Sequence, residues 1–208
     1  MPSSSYCYFD QQRLALHCGS RLPAAQSLLQ LAGNSALPAQ LTPAPTAQQL
    51  LDAAEQAYQA GYEQQASTEF ELQGLALAGI GDPLLHMDLL AEFLPAFKAK
   101  RHGVPLTLVT YGLVAPADAP ALCQQLLELE VEKLEIYLPA TNPPAYQQAV
   151  KPTQLGFSEL CQFIHTASDA GLQVTCFAYA PVAQQSELRA LALDLGARAF
   201  VVKPLAIV

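Results

Sequence analysis

Most of the signatures that announce a function class are missing from this sequence. It has no CxxC pair and no other close spacing of cysteines. The five present, Cys7, Cys18, Cys123, Cys161 and Cys176, are odd in number and far apart. That spacing offers neither a disulfide framework nor a metal knuckle. It suits reduced thiols, buried as small hydrophobes in a cytoplasmic protein, and no metal site is expected. Charge is also scarce. Only 13% of the 208 residues are charged, and 18 acids against 10 bases leave a net charge of −8. A binder of phosphate backbones needs a clustered basic face, so nucleic acid is not an expected partner. The sharpest basic cluster is Lys98, Lys100, Arg101 and His102, placed where cations meet the negative end of a helix dipole. No apolar run reaches the roughly 18 residues of a membrane span, and MPSSSYCYFDQQ lacks the pattern of a signal peptide. A membrane partner is therefore not expected either. GxGxxG is absent, and spacing assembles no Ser-His-Asp set, paired carboxylates or phosphate loop.

What the sequence does have is apolar residues, 51% of the total, in an alternating order. A strand-like stretch is followed by a longer helical one, six times. The strands are expected around Leu14 to His17, Leu72 to Ala78, and residues 105 to 112, 133 to 138, 172 to 179 and 197 to 203. Between them lie helical patterns. In PTAQQLLDAAEQAY, Thr46 is the expected N-cap and Leu50, Leu51, Ala54 and Ala57 keep helical spacing. MDLLAEFLPAFKAKR follows the second strand, with Pro95 expected to bend it. Further helices are expected around Pro120 to Leu129, over FSELCQFIHTASDAG up to Gly171, and over SELRALALDLG. PATNPPAYQQAVKPTQLG is expected to be a long, stiff, proline-rich loop.

Strands alternating with helices predict parallel strands joined by right-handed crossovers. The expected architecture is α/β, a six-unit (βα) partial TIM-type barrel with parallel strands, in one domain spanning 1–208. Functional residues then belong at the C-terminal ends of the strands. The candidates are Gly79 to Asp82, Thr110 to Gly112, Tyr137 to Tyr146, Tyr179 and Lys203.

These stretches differ in what they offer. In GIGD, glycines let the backbone approach a ligand closely, and Asp82 presents a carboxylate at the start of a helix. It would accept from a ligand ammonium, or serve as a plain helix cap. Tyr111 and Gly112 end the third strand. Thr141 and Asn142 bring polar groups to the fourth, with Tyr146 seating the loop that follows. His17 and Cys18 adjoin but do not make a metal site. His86, His102 and His165 read as structural. Lys203 reads as a surface lysine before Pro204, or as a buried amine able to form a Schiff base.

Taken in order, these segments resemble the radical SAM proteins, most of all the group linked to TatD-type nucleases. The likeness runs from about Tyr8 to about Pro204 and is clearest from Leu75. LAGIGDPLLHMDLL stands where that family has a GxGEP turn, VTYGL where it has TNG, and EIYLPATNPPAYQQAVKP where it has SLN and a loop with Tyr and Pro. ELCQFIHTASDAGLQVTCF stands where a further helix and strand follow. The resemblance implies S-adenosylmethionine (SAM) as cofactor, with Gly79, Gly81 and Asp82 contacting its methionine amino group and Tyr111 and Asn142 nearby.

One part of the family pattern is not there. The family carries CxxxCxxC after the first strand, where three thiolates hold an iron–sulfur cluster. This sequence reads LALHCGSRLPAAQSLLQLAG there. With GSR aligned on the family's TNR, the three cysteine positions hold Leu22, Gln26 and Leu29. No iron–sulfur cluster is expected. The reading is a cluster-free, radical SAM-like protein acting in binding, regulation or partnership, with a small molecule or another protein as its partner. The alternatives are a SAM-binding protein with non-radical chemistry and a (βα)-barrel enzyme of another kind. Leu22, Leu28, Leu29 and Leu31 would fill the barrel mouth or form an apolar patch for a partner.

Overall fold

The structure, a computed structural model, describes residues 7–10, 13–17, 45–64, 74–78, 82–150, 154–179 and 183–203. Its strands are β1 (Cys7–Asp10), β2 (Arg13–His17), β3 (Gly74–Ala78), β4 (Leu106–Thr110), β5 (Lys133–Tyr137), β6 (Gln173–Tyr179) and β7 (Ala199–Lys203). Its helices are α1 (Ala47–Gln64), α2 (Met87–Lys100), α3 (Ala119–Glu128), α4 (Pro143–Val150), α5 (Phe157–Asp169) and α6 (Gln185–Asp194). The strands form one sheet in chain order, β1 to β7. All neighbours from β2 to β7 run parallel. Crossovers of a single hand between successive strands put every helix on the same face, so the opposite face must curl onto itself. This is the expected α/β partial barrel. Among the described residues β1 and β7 are its two ends.

β1 is an addition to the expected six strands. It pairs antiparallel with β2, from Cys7 opposite Leu16 to Asp10 opposite Arg13. The remaining strand and helix positions fall within a few residues of expectation, with one further exception. The stretch expected as a proline-rich loop contains α4. The reason is local. Asn142 Oδ1 accepts from Ala145 N at 3.1 Å, and Pro143 and Pro144 occupy the first positions of the helix, where a missing N–H costs nothing. Prolines that looked like loop stiffeners are helix starters.

Other helix ends follow familiar chemistry. Thr46 Oγ1 accepts from Gln49 N at 3.2 Å while Gln49 Oε1 accepts from Thr46 N at 2.9 Å, a reciprocal capping box that opens α1. α2 continues through Pro95 to Lys100. α5 ends at Asp169, and Gly171, two residues on, takes a φ of +97° that suits a glycine.

Register sorts the strand residues into two faces. Leu75, Leu77, Leu106, Leu108, Leu134, Ile136, Val174, Cys176, Ala178 and Phe200 share the helix-facing side, and all are buried. Each large member of this layer contributes about 1.5–3 kcal/mol by leaving water. The other face carries Thr107, Val109, Glu135, Tyr137, Thr175, Phe177, Tyr179, Val201 and Lys203. That face lines the barrel interior and brings together its polar and aromatic side chains.

Candidate functional site at the strand C-terminal ends

Asp82 follows β3 and opens a 3-10 turn at Pro83–Leu85. Its side chain is 4% exposed. One carboxylate oxygen accepts from Leu84 N at 3.0 Å and from Thr110 Oγ1 at 2.7 Å. The other accepts from Thr110 Oγ1 at 2.6 Å and from Tyr111 N at 2.9 Å. Thr110 in turn accepts from Gly112 N at 2.9 Å. Asp82 thus caps its own turn and ties it to the end of β4. Burial pushes its carboxyl above the ordinary carboxylate range, opposed by the bonds from Thr110, Leu84 and Tyr111 and by His86. His86 is moved downward by its own burial, against the pull of Asp82.

Next to this tie lies a cluster of aromatic rings. Tyr111 meets Tyr137 edge-on at 5.9 Å, and Tyr137 packs at 5.6 Å on Phe177 and 5.9 Å on Tyr179. Phe177 and Tyr179 meet edge-on at 5.5 Å. Such pairs contribute about 0.5–1.5 kcal/mol each beyond their burial. Burial raises the Tyr111 phenol, and so does the negative charge of Asp82 beside it. Tyr146 comes from α4. Its ring lies 5.8 Å from that of Phe157, and its buried hydroxyl finds no hydrogen-bond partner among the described residues. A buried phenol without a partner costs about 1–3 kcal/mol, and an acceptor on a bound molecule would repay it.

Glu135 and Lys203 form an ion pair at 2.5 Å across β6, with Lys203 level with Tyr179 at the end of β7 and Glu135 level with Thr175, nearer the strand starts. Their side chains are 17% and 25% exposed. Lys203 Nζ also stands 4.0 Å from the centre of the Phe177 ring. Lys203 is therefore an interior residue of the barrel. Glu135 was not among the sequence candidates. The signal for it was an acid at an inward position between Leu134 and Ile136, in a strand that is otherwise apolar in its middle.

Asp82 and Tyr111, two of the expected site residues, are brought together by a direct hydrogen bond. Asn142 lies at the start of α4, where its amide contacts Thr141 and its carbonyl oxygen caps the helix. Gly79 and Gly81 lie outside the described residues, as do Cys18, Leu22, Gln26, Leu28, Leu29 and Leu31. His17 ends β2, opposite Ala78.

The cysteines bear on the cluster. Cys123, Cys161 and Cys176 are free and lie in the layer between helices and sheet, away from the barrel interior. Burial raises all three thiols, Cys161 to about 11 and Cys176 to about 12, the latter helped by Cys161. Iron–sulfur ligation needs thiolates that converge on one point. These thiols do neither. Among the described residues, no three His, Cys, Asp or Glu side chains could hold a metal ion. No helix among the described residues is long and apolar enough to cross a membrane.

Comparison with known proteins yields fold similarity without sequence similarity. No protein-family model matches the chain. No curated protein matches it. Among solved structures, SuiB of Streptococcus suis, bound to its precursor peptide SuiA, superposes with a TM-score of 0.63 at 10% identity, covering 94% of this chain and 39% of SuiB. The FeFe-hydrogenase maturase HydG of Carboxydothermus hydrogenoformans gives 0.64 at 11% identity, covering 92% of this chain and 44% of HydG. The chain thus spans about two fifths of either protein. At such identity the likeness establishes the fold alone, a partial (βα) barrel.

Proposed function

We propose that this chain is a cluster-free barrel of radical SAM-like fold that acts by binding, in regulation or beside a partner, and not by radical chemistry. The observation that carries the reading is the cysteine set. The sequence has no CxxxCxxC, and the described thiols lie on the helix-facing side of the sheet, where burial raises them. Without convergent thiolates there is nothing to hold a cluster that would reduce SAM.

The mouth of the barrel is where binding belongs in this reading. The buried Tyr146 hydroxyl, without a partner among the described residues, supports a small-molecule ligand that brings an oxygen acceptor. SAM is the first ligand to try, through Gly79, Gly81, Asp82, Tyr111 and Asn142. Asp82 reduces its prospects, because every bond its carboxylate makes is already internal. A ligand ammonium must displace Thr110 or Tyr111 to reach it. Losing one charge-assisted bond, at about 1.5–3 kcal/mol, weakens binding by about tenfold or more.

Calorimetric titration of SAM into the purified chain tests this. The expected result is binding weaker than about 0.1 mM, with Asp82→Asn behaving like the parent. Low-micromolar binding that Asp82→Asn abolishes would show that the turn still serves the cofactor, and the regulatory reading would give way to a SAM-binding protein.

A further inference from the structure

We propose that Lys203 is a nucleophilic amine that forms an imine with a neutral aldehyde or ketone inside the barrel, with Glu135 moving the protons. This goes beyond the binding reading and does not depend on SAM. Two observations place it. Lys203 ends the last described strand on the interior face, where this architecture concentrates its chemistry. It also stands between a carboxylate at 2.5 Å and an aromatic ring at 4.0 Å, while a quarter of its side chain remains open to an incoming molecule. A partly buried ion pair is a poor device for stability alone, since apolar side chains of the same size hold an interior as well or better.

Glu135 also selects the substrate class. A second carboxylate next to it would be repelled, so keto acids are disfavoured. Tyr137, Phe177 and Tyr179 line the same face and favour a flat, uncharged carbonyl compound.

The proton balance closes within the pair. Lys203 Nζ passes one proton to Glu135 Oε2 and its lone pair attacks the carbonyl carbon. The C–N bond forms as the carbonyl π pair moves to oxygen, and Glu135 returns its proton there. A second proton leaves nitrogen through the same carboxylate to the new hydroxyl, which departs as water. The nitrogen lone pair then makes the C=N bond. The product is a protonated imine facing the Glu135 carboxylate, over the Phe177 ring, where a cation is favoured.

The sequence supplies an internal control, because it has five lysines: Lys98, Lys100, Lys133, Lys151 and Lys203. The full chain is incubated with benzaldehyde and cyanoborohydride, and the reduced adducts are mapped by peptide mass spectrometry over time. Lys203 is expected to label at least about tenfold faster than the other four, and Glu135→Gln to slow its labelling by about tenfold while leaving the others unchanged. Labelling of Lys203 no faster than that of the other lysines in the parent chain overturns the proposal, whatever the variant does. An unchanged Lys203 rate in a folded Glu135→Gln, checked by circular dichroism, overturns the role of Glu135.

Discussion

The two ends of the barrel use charge in opposite ways. At the end where the strands begin, charges are fastened on the outside. Lys98 pairs with Glu130, whose side chain is 70% exposed. Arg101 reaches Glu55 at 3.0 Å and stacks 3.9 Å over the Tyr58 ring. A cavity of about 360 Å³ opens between α2 and the end of α3, lined by Pro95, Lys98, His102 and Glu128 among others. At the end where the strands finish, the charges face inward: Asp82 is sealed, and Glu135 and Lys203 stand inside the barrel. The basic cluster that the sequence displays is thus used to join helix ends. The charges that face the barrel interior are the inconspicuous ones, isolated in apolar stretches.

That contrast predicts a steep gradient of mutational effects from mouth to base. Asp82→Ala should be the most damaging. It removes the acceptor of three buried donors, from Leu84, Thr110 and Tyr111, and should cost about 3–4 kcal/mol in a denaturant titration. Gly112→Ala should come next. Gly112 has φ +66°, and an added Cβ would stand 2.9 Å from Leu160 Cδ1, 3.0 Å from Ile136 Cγ2 and 3.1 Å from Phe163 Cδ1. Backbone strain and overpacking together should cost about 2–3 kcal/mol, read from the midpoint of unfolding.

The two lysine ion pairs compare the ends directly. Lys203→Met removes the ammonium that faces a mostly buried carboxylate, and after allowance for solvent should cost about 1–2 kcal/mol. Lys98→Met strands only an exposed one and should leave the denaturation midpoint unchanged. Equal effects at the two sites would break the comparison.

A pH series sharpens it further. The native state raises the Asp82 carboxyl chiefly by burial, so it holds that proton more tightly than the unfolded chain does. The resulting stabilisation is fully present below the unfolded value of about 4, and is lost as pH rises through the higher native one. Unfolding free energy between pH 4 and pH 8 should therefore fall more steeply with pH in the parent chain than in Asp82→Asn.

Much of the fold could be read in advance because two periods, 3.6 and 2, alternate cleanly along the chain. Thr46 and Gly171 mark helix ends by residue chemistry alone, and both do so here. α4 was missed because a Pro-Pro pair reads as a stiff loop unless the preceding Asn is recognised as a cap. β1 was missed because CYFD is only four residues, joined to β2 across Gln11 and Gln12, which carry none of the usual turn chemistry. At the site, sequence order pointed to strand ends, and so to Asp82, Tyr111 and Lys203. It did not give Glu135, because the alternation of Glu135 with the apolar Leu134 and Ile136 marks a half-buried strand but does not say that the polar face lines a barrel interior. Nor did it show that the carboxylate of Asp82 turns inward to Thr110, since the two are 28 residues apart and meet only through the pairing of β3 with β4.

The central claim is that the barrel works without a cluster. Its most direct test is anaerobic reconstitution of the full chain with ferrous iron and sulfide, followed by desalting, iron and sulfide quantitation, and incubation with SAM and dithionite. The account predicts iron at background level and no 5′-deoxyadenosine. About four irons per chain, accompanied by reductive cleavage of SAM, would contradict it.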